Sequence, residues 1–405
     1  MSKQKTTASV GLMITLLLLA ALPLLSLNMF LPSLGVMAQE FDVGYDAMAL
    51  TISIYLLFTA VIQVISGPIA DRFGRRPIVL IGLSVFILAS IGCAQAESYR
   101  MFFIWRALQG GIATASVLSR AVVGDLFNPQ KSASVLGYIA MGMSIAPIIG
   151  PSIGGLMSEI FGWRINFLIY CFCGLVLIAL VFRNLPETGL DRDRSTNMVI
   201  SSYITLSLSP LFWAYSLIMA CGIAGFFVFV TGVPIVVSAV FGESESTVGL
   251  IIGSITCGFM VGSFLSGKLA LKRGLDRMIL YGRGLATVGL SISLILLLAD
   301  LSHLAILIIG AICVGIGNGL TTPSASTAVM FVNREMTASA SGLSGAIIVV
   351  LGAFATFLTG IAVQNYPTEI MLIVLMLAFA VTGLLIAIWA ACQQKNGFQH
   401  PNKKI

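Results

Sequence analysis

Charged side chains are scarce in this sequence: 22 Lys and Arg and 16 Asp and Glu make up 9% of its 405 residues. A soluble domain carries about 25% charged residues. Hydrophobic residues account for 58% of the chain, and the mean hydropathy is +1.02. This composition excludes an ordinary soluble domain and predicts a polytopic membrane protein whose main partner is the lipid bilayer.

Residues that bind metals or attack substrates are also few. The two histidines, His303 and His400, lie outside the apolar runs or at their very ends, and the seven cysteines lie in those runs or at their ends. No pair shows metal-ligand spacing. No Gly-x-x-x-x-Gly-Lys-Ser/Thr phosphate loop is present in the sequence. We therefore predict no metal site, no cofactor, no disulfide and no ATPase, and we find no convincing catalytic group for an enzyme.

Long apolar runs dominate the chain instead. A membrane-spanning helix needs about 20 apolar residues, and twelve runs reach that length. They lie near 11–35, 47–70, 78–96, 100–123, 133–158, 163–182, 210–238, 247–271, 278–299, 302–329, 337–363 and 368–392, and we number them spans 1 to 12. The first run is too long for a signal peptide and lacks a small-residue cleavage site. The predicted fold class is an all-α polytopic membrane protein with twelve transmembrane helices.

Basic residues are distributed unevenly between the two faces of these spans. Arg100 and Arg164 fall on one face, Arg106 falls within span 4, and the other 19 of the 22 Lys and Arg fall on the opposite face. By the positive-inside rule, the face rich in Lys and Arg is cytoplasmic. The net charge of +6 therefore reports topology and not a nucleic-acid partner. Both termini are predicted to be cytoplasmic.

A polar stretch separates the spans into two groups of six. We predict a cytoplasmic linker over 183–209, between an N-terminal six-helix bundle over 1–182 and a C-terminal bundle over 210–405 with a short cytoplasmic tail. The halves share a local pattern, since the dipeptide Ser-Gly at 66–67 recurs at 266–267. A repeat of the fold accounts for this recurrence. A second basic loop with one glycine accounts for it as well.

The densest cluster of charge lies between spans 2 and 3. Residues 67–77 read Gly-Pro-Ile-Ala-Asp-Arg-Phe-Gly-Arg-Arg-Pro. The central glycine permits a tight turn, and the charges are too many for a membrane interior, so this loop must lie at a water face. The candidate residues for a conformational switch here are Gly67, Asp71, Arg72, Gly74, Arg75 and Arg76. An ordinary basic cytoplasmic loop is the alternative.

Span 4 carries the one charge that we place well inside the membrane. Arg106 lies six residues beyond Arg100, and a charged residue in a span costs about 2.5 kcal/mol or more unless it is paired or hydrated. Asn28 of span 1 is predicted at a similar depth, roughly 6–9 Å from the outer surface. We predict that both residues line the substrate cavity and that the Asn28 amide oxygen accepts a hydrogen bond from the guanidinium. An arginine that extends to the outer interface is the alternative.

Five further residues are weaker candidates for the substrate cavity. They are Tyr55 in span 2, Gln109 in span 4, Phe226 and Phe229 in span 7, and Asn318 in span 10. Aromatic rings in a span can line an apolar cavity, but packing and lipid-facing roles stay open for them. A glycine-rich helix interrupted near an amide, as in span 10, is typical of helices that line a binding site.

Span 5 contains prolines and closely spaced glycines. Pro147 and Pro151 each remove one helical hydrogen bond, so the helix should bend. Gly150 and Gly154 are four residues apart and allow close approach of another helix. Because span 8 carries glycines at the same spacing, at 258 and 262, we predict that spans 5 and 8 pack there. The candidate packing residues are Gly150, Pro151, Gly154 and Gly155, and generic small-residue packing is the alternative.

These stretches together resemble a known family of transporters. Residues 67–77, 106–110 and 150–155 resemble, in that order, motifs A, B and C of the major facilitator superfamily. The Thr-Gly-Val-Pro run at 231–234 and the Ala-Ser-Gly-Leu-Ser-Gly run at 340–345 are similar to its bicyclomycin/chloramphenicol-resistance group of drug:proton antiporters. The resemblance covers nearly the whole chain.

The resemblance implies a fold, a mechanism and particular contacts. It implies two six-helix halves in a bacterial inner membrane and a monomer that exports small, partly apolar compounds, antibiotics among them, by alternating access at the expense of the proton gradient. It also implies that Arg106 faces a central cavity and that Asp125, at the inner end of span 4, pairs with Arg75. Asp71 would face the start of span 11 near Thr337, where free N–H groups favour an anion.

One departure from that group affects the expected coupling to protons. The group usually has an aspartate where this chain has Asn28, and an amide cannot titrate. A buried carboxylate is the usual proton carrier, because desolvation raises its pKa, yet all 16 acids map to loops or span ends. Asp42 and Asp46 remain candidates. An uncoupled facilitator, an amino-acid or nucleoside exporter, and a sensor or membrane enzyme on the same scaffold are the alternative functions.

Overall fold

A computed structural model describes residues 9–188, 203–241 and 245–395 of the chain. Within these ranges, twelve helical segments are long and apolar enough to cross a membrane, which confirms the predicted all-α fold and its twelve spans. Both predicted cytoplasmic termini and the middle of the predicted linker lie outside the described residues, at 1–8, 396–405 and 189–202.

Eight spans are single helices, and four are interrupted. The single helices are span 2 (Tyr45–Phe73), span 3 (Arg75–Ala94), span 6 (Arg164–Asn184), span 8 (Glu245–Arg273), span 9 (Leu275–Leu298), span 10 (Leu304–Val332), span 11 (Thr337–Asn365) and span 12 (Glu369–Lys395). The interrupted ones are span 1 (Val10–Asn28 and Leu34–Glu40), span 4 (Tyr99–Gln109 and Ala113–Leu126), span 5 (Pro129–Met143 and Ile145–Phe161) and span 7 (Pro210–Val236, then a π-helical turn over Val237–Phe241). In a helix the backbone N–H and C=O groups bond to each other. This pairing is required in a membrane because lipid tails offer no hydrogen-bond partners.

The break in span 5 has a local cause in the sequence. The first helix of this span ends at Met143, four residues before Pro147. A proline ring collides with the carbonyl group four residues earlier and donates no hydrogen bond to it. The predicted bend is therefore present as an interruption at Ser144, while Pro151 lies inside the second helix.

Two glycines make equivalent tight junctions between successive spans. Gly74 joins spans 2 and 3 with a φ of +95°, and Gly274 joins spans 8 and 9 with a φ of +79°. Such positive φ values are readily adopted only by glycine. The 200-residue offset between the two junctions equals the offset of the Ser-Gly dipeptides.

Contacts divide the chain into two compact units. Unit 1 comprises the described residues of Met1–Phe127, Gly142–Ile204 and Asn333–Ala346. Unit 2 comprises those of Asn128–Met141, Thr205–Val332 and Ile347–Ile405. The start of span 11 thus belongs to unit 1, and the start of span 5 belongs to unit 2. The domain boundaries drawn from the sequence stay a prediction.

Each unit has its own apolar core. In unit 1, the rings of Phe102, Trp163 and Phe167 meet edge to face, with centroids 5.4–5.8 Å apart. In unit 2, the core contains buried aliphatic residues of several spans, with Phe229 among them. Polar side chains that lie within these cores need partners, and they mark the candidate site.

Candidate functional site

A buried charge cluster surrounds Arg75, the first residue of span 3. Its side chain is 2% exposed. Its Nη1 atom lies 2.7 Å from Oδ1 of Asp71, and its Nε donates to Oδ2 of Asp125 at 3.1 Å. Its Nη2 donates to the Thr337 hydroxyl at 2.9 Å, and that hydroxyl donates to Oδ1 of Asp125 at 2.7 Å. The predicted pairing of Arg75 with Asp125 is confirmed, and one guanidinium compensates two carboxylates.

The Asp71 carboxylate caps the start of span 11, as the resemblance implied. Oδ1 accepts from the backbone N–H of Ala338 at 3.4 Å, and Oδ2 accepts from that of Ser339 at 3.0 Å. The Ser339 hydroxyl lies 2.5 Å from the same Oδ2 atom. The first N–H groups of a helix lack partners within it and carry a partial positive charge, so they favour an anion.

Gly67 allows span 2 to lie close to the start of span 11. A Cβ atom at this position would lie 2.6 Å from the Ala338 carbonyl oxygen and 2.7 Å from the Ser339 Cα. Any side chain would therefore push the start of span 11 away from span 2. Gly67 and Asp71 therefore act on the same contact. The glycine leaves room for the backbone of span 11, and the aspartate carboxylate accepts its hydrogen bonds.

Glu187 belongs to this cluster, although the sequence reasoning gave it no role. Its Oε1 accepts from the backbone N–H of Arg75 at 2.7 Å and from that of Arg76 at 3.4 Å, and so caps the start of span 3. The neighbouring Thr188 hydroxyl donates to Asp125 at 2.9 Å. A Cβ on Gly74 would lie 2.5 Å from Glu187 Oε1. An acid just after the end of span 6 was the available signal, because free N–H groups attract such acids.

The other two switch arginines lie beside this cluster. Arg76 donates to the Phe182 carbonyl oxygen at 2.7 Å and lies over the Phe182 ring. Arg72 lies over the Phe73 ring, 5.0 Å from its centroid.

The last described part of the linker also reaches this region. Tyr203 donates a hydrogen bond to the Val64 carbonyl oxygen of span 2. Burial, with a smaller contribution from the nearby Asp71 carboxylate, raises the pKa of Tyr203 and keeps its phenol neutral. Both described ends of the linker therefore contact the segment that carries the charge cluster.

The repeated Ser-Gly dipeptide makes a similar contact in unit 2. A Cβ on Gly137, near the start of span 5, would lie 2.5 Å from the Gly267 backbone nitrogen. The Ser134 hydroxyl donates to the Gly267 carbonyl oxygen at 2.5 Å. Leu271 stands where Asp71 stands in the first copy, and it is half exposed. The two contacts share a close approach at glycine, but the first alone adds a carboxylate.

Arg106 is fully buried in unit 1. Its Nη1 donates to Oε1 of Gln109 at 2.5 Å, and its Nη2 donates to the Ser26 carbonyl oxygen at 3.0 Å. The rings of Phe30 and Tyr55 lie 4.2 and 4.3 Å from its Cζ atom. These contacts exclude the alternative in which the side chain extends to the outer interface. They also enclose the guanidinium, and its predicted place in the substrate cavity stays a prediction.

Tyr55 and Gln109 both contact this arginine, and their place in the substrate cavity stays a prediction. The Tyr55 hydroxyl lies 2.9 Å from the Ser26 hydroxyl and donates to the Pro23 carbonyl oxygen at 3.1 Å. The Gln109 amide donates to the Ser90 hydroxyl at 2.8 Å. Both side chains are buried.

The predicted hydrogen bond between Asn28 and Arg106 is wrong. Asn28 donates to the Leu24 carbonyl oxygen of its own helix at 2.7 Å. That helix ends at Asn28, so the Ser26 carbonyl is one of the last four that lack a partner within the helix. The guanidinium of Arg106 takes that backbone oxygen in place of the Asn28 side chain.

The cavity residues predicted in unit 2 lie against protein. Phe229 is fully buried in the apolar core, and Phe226 packs against that core; their cavity-lining role stays a prediction. Asn318 is buried and donates to the Gly222 carbonyl oxygen at 2.9 Å. It also accepts a hydrogen bond from Arg283 of span 9.

Arg283 is a second arginine deep inside the spans, and the sequence reasoning missed it. It lies eight residues beyond the start of span 9 and is 1% exposed. The statement that Arg106 is the one charge well inside a span is therefore wrong. The depth argument that singled out Arg106 would have found Arg283, had we not counted it with the basic residues of the neighbouring loop.

Gly150 and Gly154 of span 5 pack against span 1 and not against span 8. A Cβ on Gly154 would lie 1.8 Å from the Met29 carbonyl oxygen, and one on Gly150 would lie 3.4 Å from Leu25. In span 8, a Cβ on Gly258 or Gly262 would instead meet span 10, at 2.6 Å from the Ile312 oxygen and 2.2 Å from the Ile316 oxygen. The predicted contact between these glycine pairs is wrong, because equal spacing does not identify the partner.

The other two residues of that motif are less constrained. A Cβ on Gly155 would lie 3.6 Å from the nearest atom, a side-chain carbon of Pro32. Pro151 lies within the second helix of the span.

Asp42 lies beside an open cavity at the outer end of span 1. The cavity measures about 640 Å³ and is lined by Gly35, Ala38, Gln39, Asp42, Val43 and Gly44. Asp42 is exposed and adopts a φ of +53°. It therefore keeps the ordinary environment of a surface carboxylate.

The sequence of this chain is similar to those of known transport and drug-resistance proteins. The sequence profile of the Major Facilitator Superfamily matches residues 16–355. Multidrug resistance protein D of Escherichia coli is 30% identical over 249 residues, which cover 61% of this chain and 63% of that protein. The Bicyclomycin resistance protein homolog of Haemophilus influenzae is 28% identical over 87% of this chain and 89% of its own length. The Chloramphenicol resistance protein of Pseudomonas aeruginosa is 28% identical over 95% and 93%.

Solved structures show the same fold at low sequence identity. The proton:xylose symporter XylE superposes with a TM-score of 0.76 over 94% of this chain and 95% of its own, at 12% identity. The human organic anion transporter MFSD10 superposes with a TM-score of 0.69 at 16% identity, over 94% of this chain and 99% of its own. At identities this low, the two superpositions show that the fold is shared and nothing more.

Proposed function

Because this chain belongs to the Major Facilitator Superfamily, we propose that it exports small, partly apolar compounds, antibiotics among them, across the bacterial inner membrane. The observation that carries this proposal is the pair of near full-length relatives named for bicyclomycin and chloramphenicol resistance. The family consists of transporters, so the chain is a transporter and not an enzyme. A single chain contains all twelve spans, and a monomer is sufficient for the proposed activity.

The Asp71–Arg75 cluster supports a role as the conformational switch. It joins the ends of spans 2, 3 and 4 to the start of span 11 through buried charged hydrogen bonds. A hydrogen bond to a charged group contributes about 1.5–3 kcal/mol, which corresponds to roughly a tenfold to hundredfold change in an equilibrium. In the proposed cycle, these bonds form when the path to the cytoplasm is closed and break when it opens.

The proton gradient is the proposed source of energy. Asn28 cannot carry a proton, so the proposal requires a carboxylate at a span end, and Asp42 is the described candidate that lines a cavity. The same amide favours a second candidate function. An uncoupled facilitator, which moves a drug or a metabolite down its own gradient, needs no titrating group in its spans.

Efflux measurements test these proposals together. The chain is expressed in an exporter-deficient bacterium, and susceptibility is measured against a panel that includes chloramphenicol and bicyclomycin. The compound whose susceptibility changes most is then tested in everted vesicles, where its accumulation is measured with and without an imposed proton gradient. Gly154→Leu serves as the inactive control, since its side chain would overlap the Met29 carbonyl.

Three outcomes distinguish the candidates. Accumulation that requires the gradient supports the coupled exporter. Equilibration that ignores the gradient supports the facilitator. No change in susceptibility for any compound, together with transport of an amino acid or a nucleoside, would overturn the drug-export proposal.

A further inference from the structure

The junction between spans 8 and 9 does not repeat the buried ion pair of its counterpart between spans 2 and 3. At the 200-residue offset that separates the two junctions, Leu271 and Leu275 stand where Asp71 and Arg75 stand. Leu275 packs against a small apolar core in place of a carboxylate. Basic residues at this second junction therefore lack the carboxylate that pairs with Arg75 in the first.

Four basic side chains surround this second junction, and all of them are exposed. We call them the junction patch: Lys268, Lys272, Arg273 and Arg277. The ion pairs found among the described residues involve Arg75 and Arg164 only. The acid beside Arg277, Asp276, instead accepts a hydrogen bond from the Tyr215 hydroxyl of span 7 at 3.2 Å. The patch thus presents four positive charges that no described carboxylate pairs with.

The two lysines of the patch lie on the lipid-facing side of span 8. Lys268 and Lys272 are four residues apart and share one face of the helix. Val261, Phe264 and Leu271 lie on that face as well, and each is between 44% and 50% exposed. A continuous exposed apolar face on a membrane-spanning helix is a surface for lipid. The lysines therefore lie where this surface reaches the end of the span.

Span 9 repeats the arrangement from the other side of the turn at Gly274. Tyr281 lies one helical turn beyond Arg277 and is 51% exposed, and Val288 and Ile292 continue the same exposed face. Tyrosine favours the level of the lipid headgroups, where its ring is in contact with lipid and its hydroxyl with water. Because a single residue joins the two spans, both lipid-facing surfaces end beside the same basic patch.

The position of the patch decides which anion it suits. Basic clusters next to a membrane span attract anionic lipids, and a long basic side chain can extend from the helix to the headgroup level. A phosphate group accepts charge-assisted hydrogen bonds from both ammonium and guanidinium groups. A soluble anion would use the charges alone, whereas a phospholipid also covers the exposed apolar faces that lead to them.

We propose that the junction patch binds the phosphate group of an anionic phospholipid, whose acyl chains lie along the exposed faces of spans 8 and 9. The site lies within unit 2 and is built from two consecutive spans. It does not depend on which compound is exported, so it goes beyond the proposed transport function.

Lipid binding to the full-length protein tests this proposal. The protein is purified in a neutral detergent and titrated with phosphatidylglycerol or with phosphatidylethanolamine of identical acyl chains. Native mass spectrometry separates the lipid-free protein from the protein with one bound lipid, so each titration gives a dissociation constant. We expect tighter binding of the anionic lipid and a higher thermal unfolding temperature in its presence.

Removing two charges from the patch should weaken this binding. Lys268→Gln combined with Lys272→Gln should raise the dissociation constant of phosphatidylglycerol roughly tenfold or more, because each basic residue near a membrane surface contributes about fivefold in affinity. Both lysines are exposed, so the unfolding temperature without anionic lipid should match the parent. The binding of phosphatidylethanolamine should change little.

A matched control removes two exposed charges elsewhere. Arg100→Gln combined with Arg183→Gln changes the net charge equally, at the ends of spans 4 and 6, and should keep the parental preference for phosphatidylglycerol. Glycerol 1-phosphate serves as a headgroup without acyl chains, and we expect it to leave the unfolding temperature unchanged at the lipid concentrations used.

Three results would overturn the site. Equal affinity of the folded parent for the two lipids would show that the patch does not select an anionic headgroup. Equal weakening in the control variant would assign the preference to the overall charge of the protein. Stabilisation by glycerol 1-phosphate as strong as that by phosphatidylglycerol would assign the patch to a soluble phosphate.

Discussion

Three of the described arginines are buried, and their charges are compensated in three different ways. Arg75 contacts two carboxylates, Arg106 contacts a backbone oxygen and two rings, and Arg283 contacts an amide and a hydroxyl. Among them, Arg75 is the one with a partner at the start of span 11. When that segment moves, the contact of Arg75 with Thr337 and the contacts of Asp71 with the start of span 11 can break together. The contacts of Arg106 instead hold spans 1, 2 and 4 together.

Removing the Asp71 charge should release the start of span 11. Asp71→Asn keeps an acceptor oxygen but weakens the bonds from Ala338 and Ser339, and we expect export to fall about tenfold or more, in line with the loss of a charged hydrogen bond. In a cysteine-free background, Ala338→Cys reports the same event, because this buried position should react faster with a thiol reagent when Asp71→Asn is added.

The control for that experiment is Asp300→Asn. Asp300 is exposed with a φ of +60°, a conformation that asparagine also tolerates. Export and labelling should match the parent. Unchanged labelling of Ala338→Cys by Asp71→Asn would contradict the switch role.

The ring of Tyr55 should matter more than its hydroxyl. Tyr55→Phe removes the hydrogen bonds to Ser26 and Pro23 but leaves a ring over Arg106, whereas Tyr55→Leu removes the cation–π contact of about 2 kcal/mol. Thermal unfolding in nanodiscs and export should both be impaired more by the leucine. Equal effects of the two variants would show that the hydrogen bonds hold Arg106.

At the scale of elements, close contacts between spans depend on individual glycines. Gly154 brings span 5 against the end of span 1, whereas Gly258 and Gly262 bring span 8 against span 10. The sequence identified the positions where a helix approaches closely, since only a missing Cβ permits it. It did not identify the partner, because many spans carry small residues at the same spacing.

Adjacent glycines of span 5 should respond differently to one added methyl group. Gly154→Ala would place its Cβ 1.8 Å from the Met29 oxygen, and overpacking of this kind costs roughly 1–3 kcal/mol. Gly155→Ala meets its nearest atom only at 3.6 Å. We expect a lower unfolding temperature and reduced export for Gly154→Ala and parental behaviour for Gly155→Ala. The same result for both variants would refute the contact with span 1.

At the scale of the whole molecule, the two copies of the Ser-Gly dipeptide relate the halves of the chain. Gly67 packs against the start of span 11 in unit 1, and Gly267 packs against the start of span 5 in unit 2. An internal repeat explains why equivalent positions make equivalent contacts. The charge cluster is confined to the first copy, so the two contacts differ in electrostatic strength.

The orientation of the whole molecule follows from its basic residues and remains open to test. We predict that both termini are cytoplasmic, because 18 of 22 Lys and Arg fall on one face once the buried Arg283 is set aside. A fluorescent protein fused after Ile405 should fluoresce, and an enzyme reporter that is active only outside the cytoplasm should be inactive there. The same reporter placed after Asp300, between spans 9 and 10, should be active. The reverse pattern would invert the topology.

Composition and local pattern determined the class of this protein and the number of its spans. Lipid offers no hydrogen bonds, so apolar runs of sufficient length must form helices wherever they occur. The glycine junction at Gly74 and the break before Pro147 follow from backbone sterics alone. The Arg75–Asp125 pair came from the resemblance to a family and not from these local rules.

Tertiary structure decided which groups meet. Arg106 took the free Ser26 carbonyl in place of Asn28, Gly154 met span 1 in place of span 8, and Glu187 reached the start of span 3 from beyond span 6. Each outcome depends on which segments are neighbours in space and on which polar atoms their helices leave unpaired. Both depend on parts of the chain that are distant in sequence. Side-chain type and spacing along the chain therefore could not predict which groups meet.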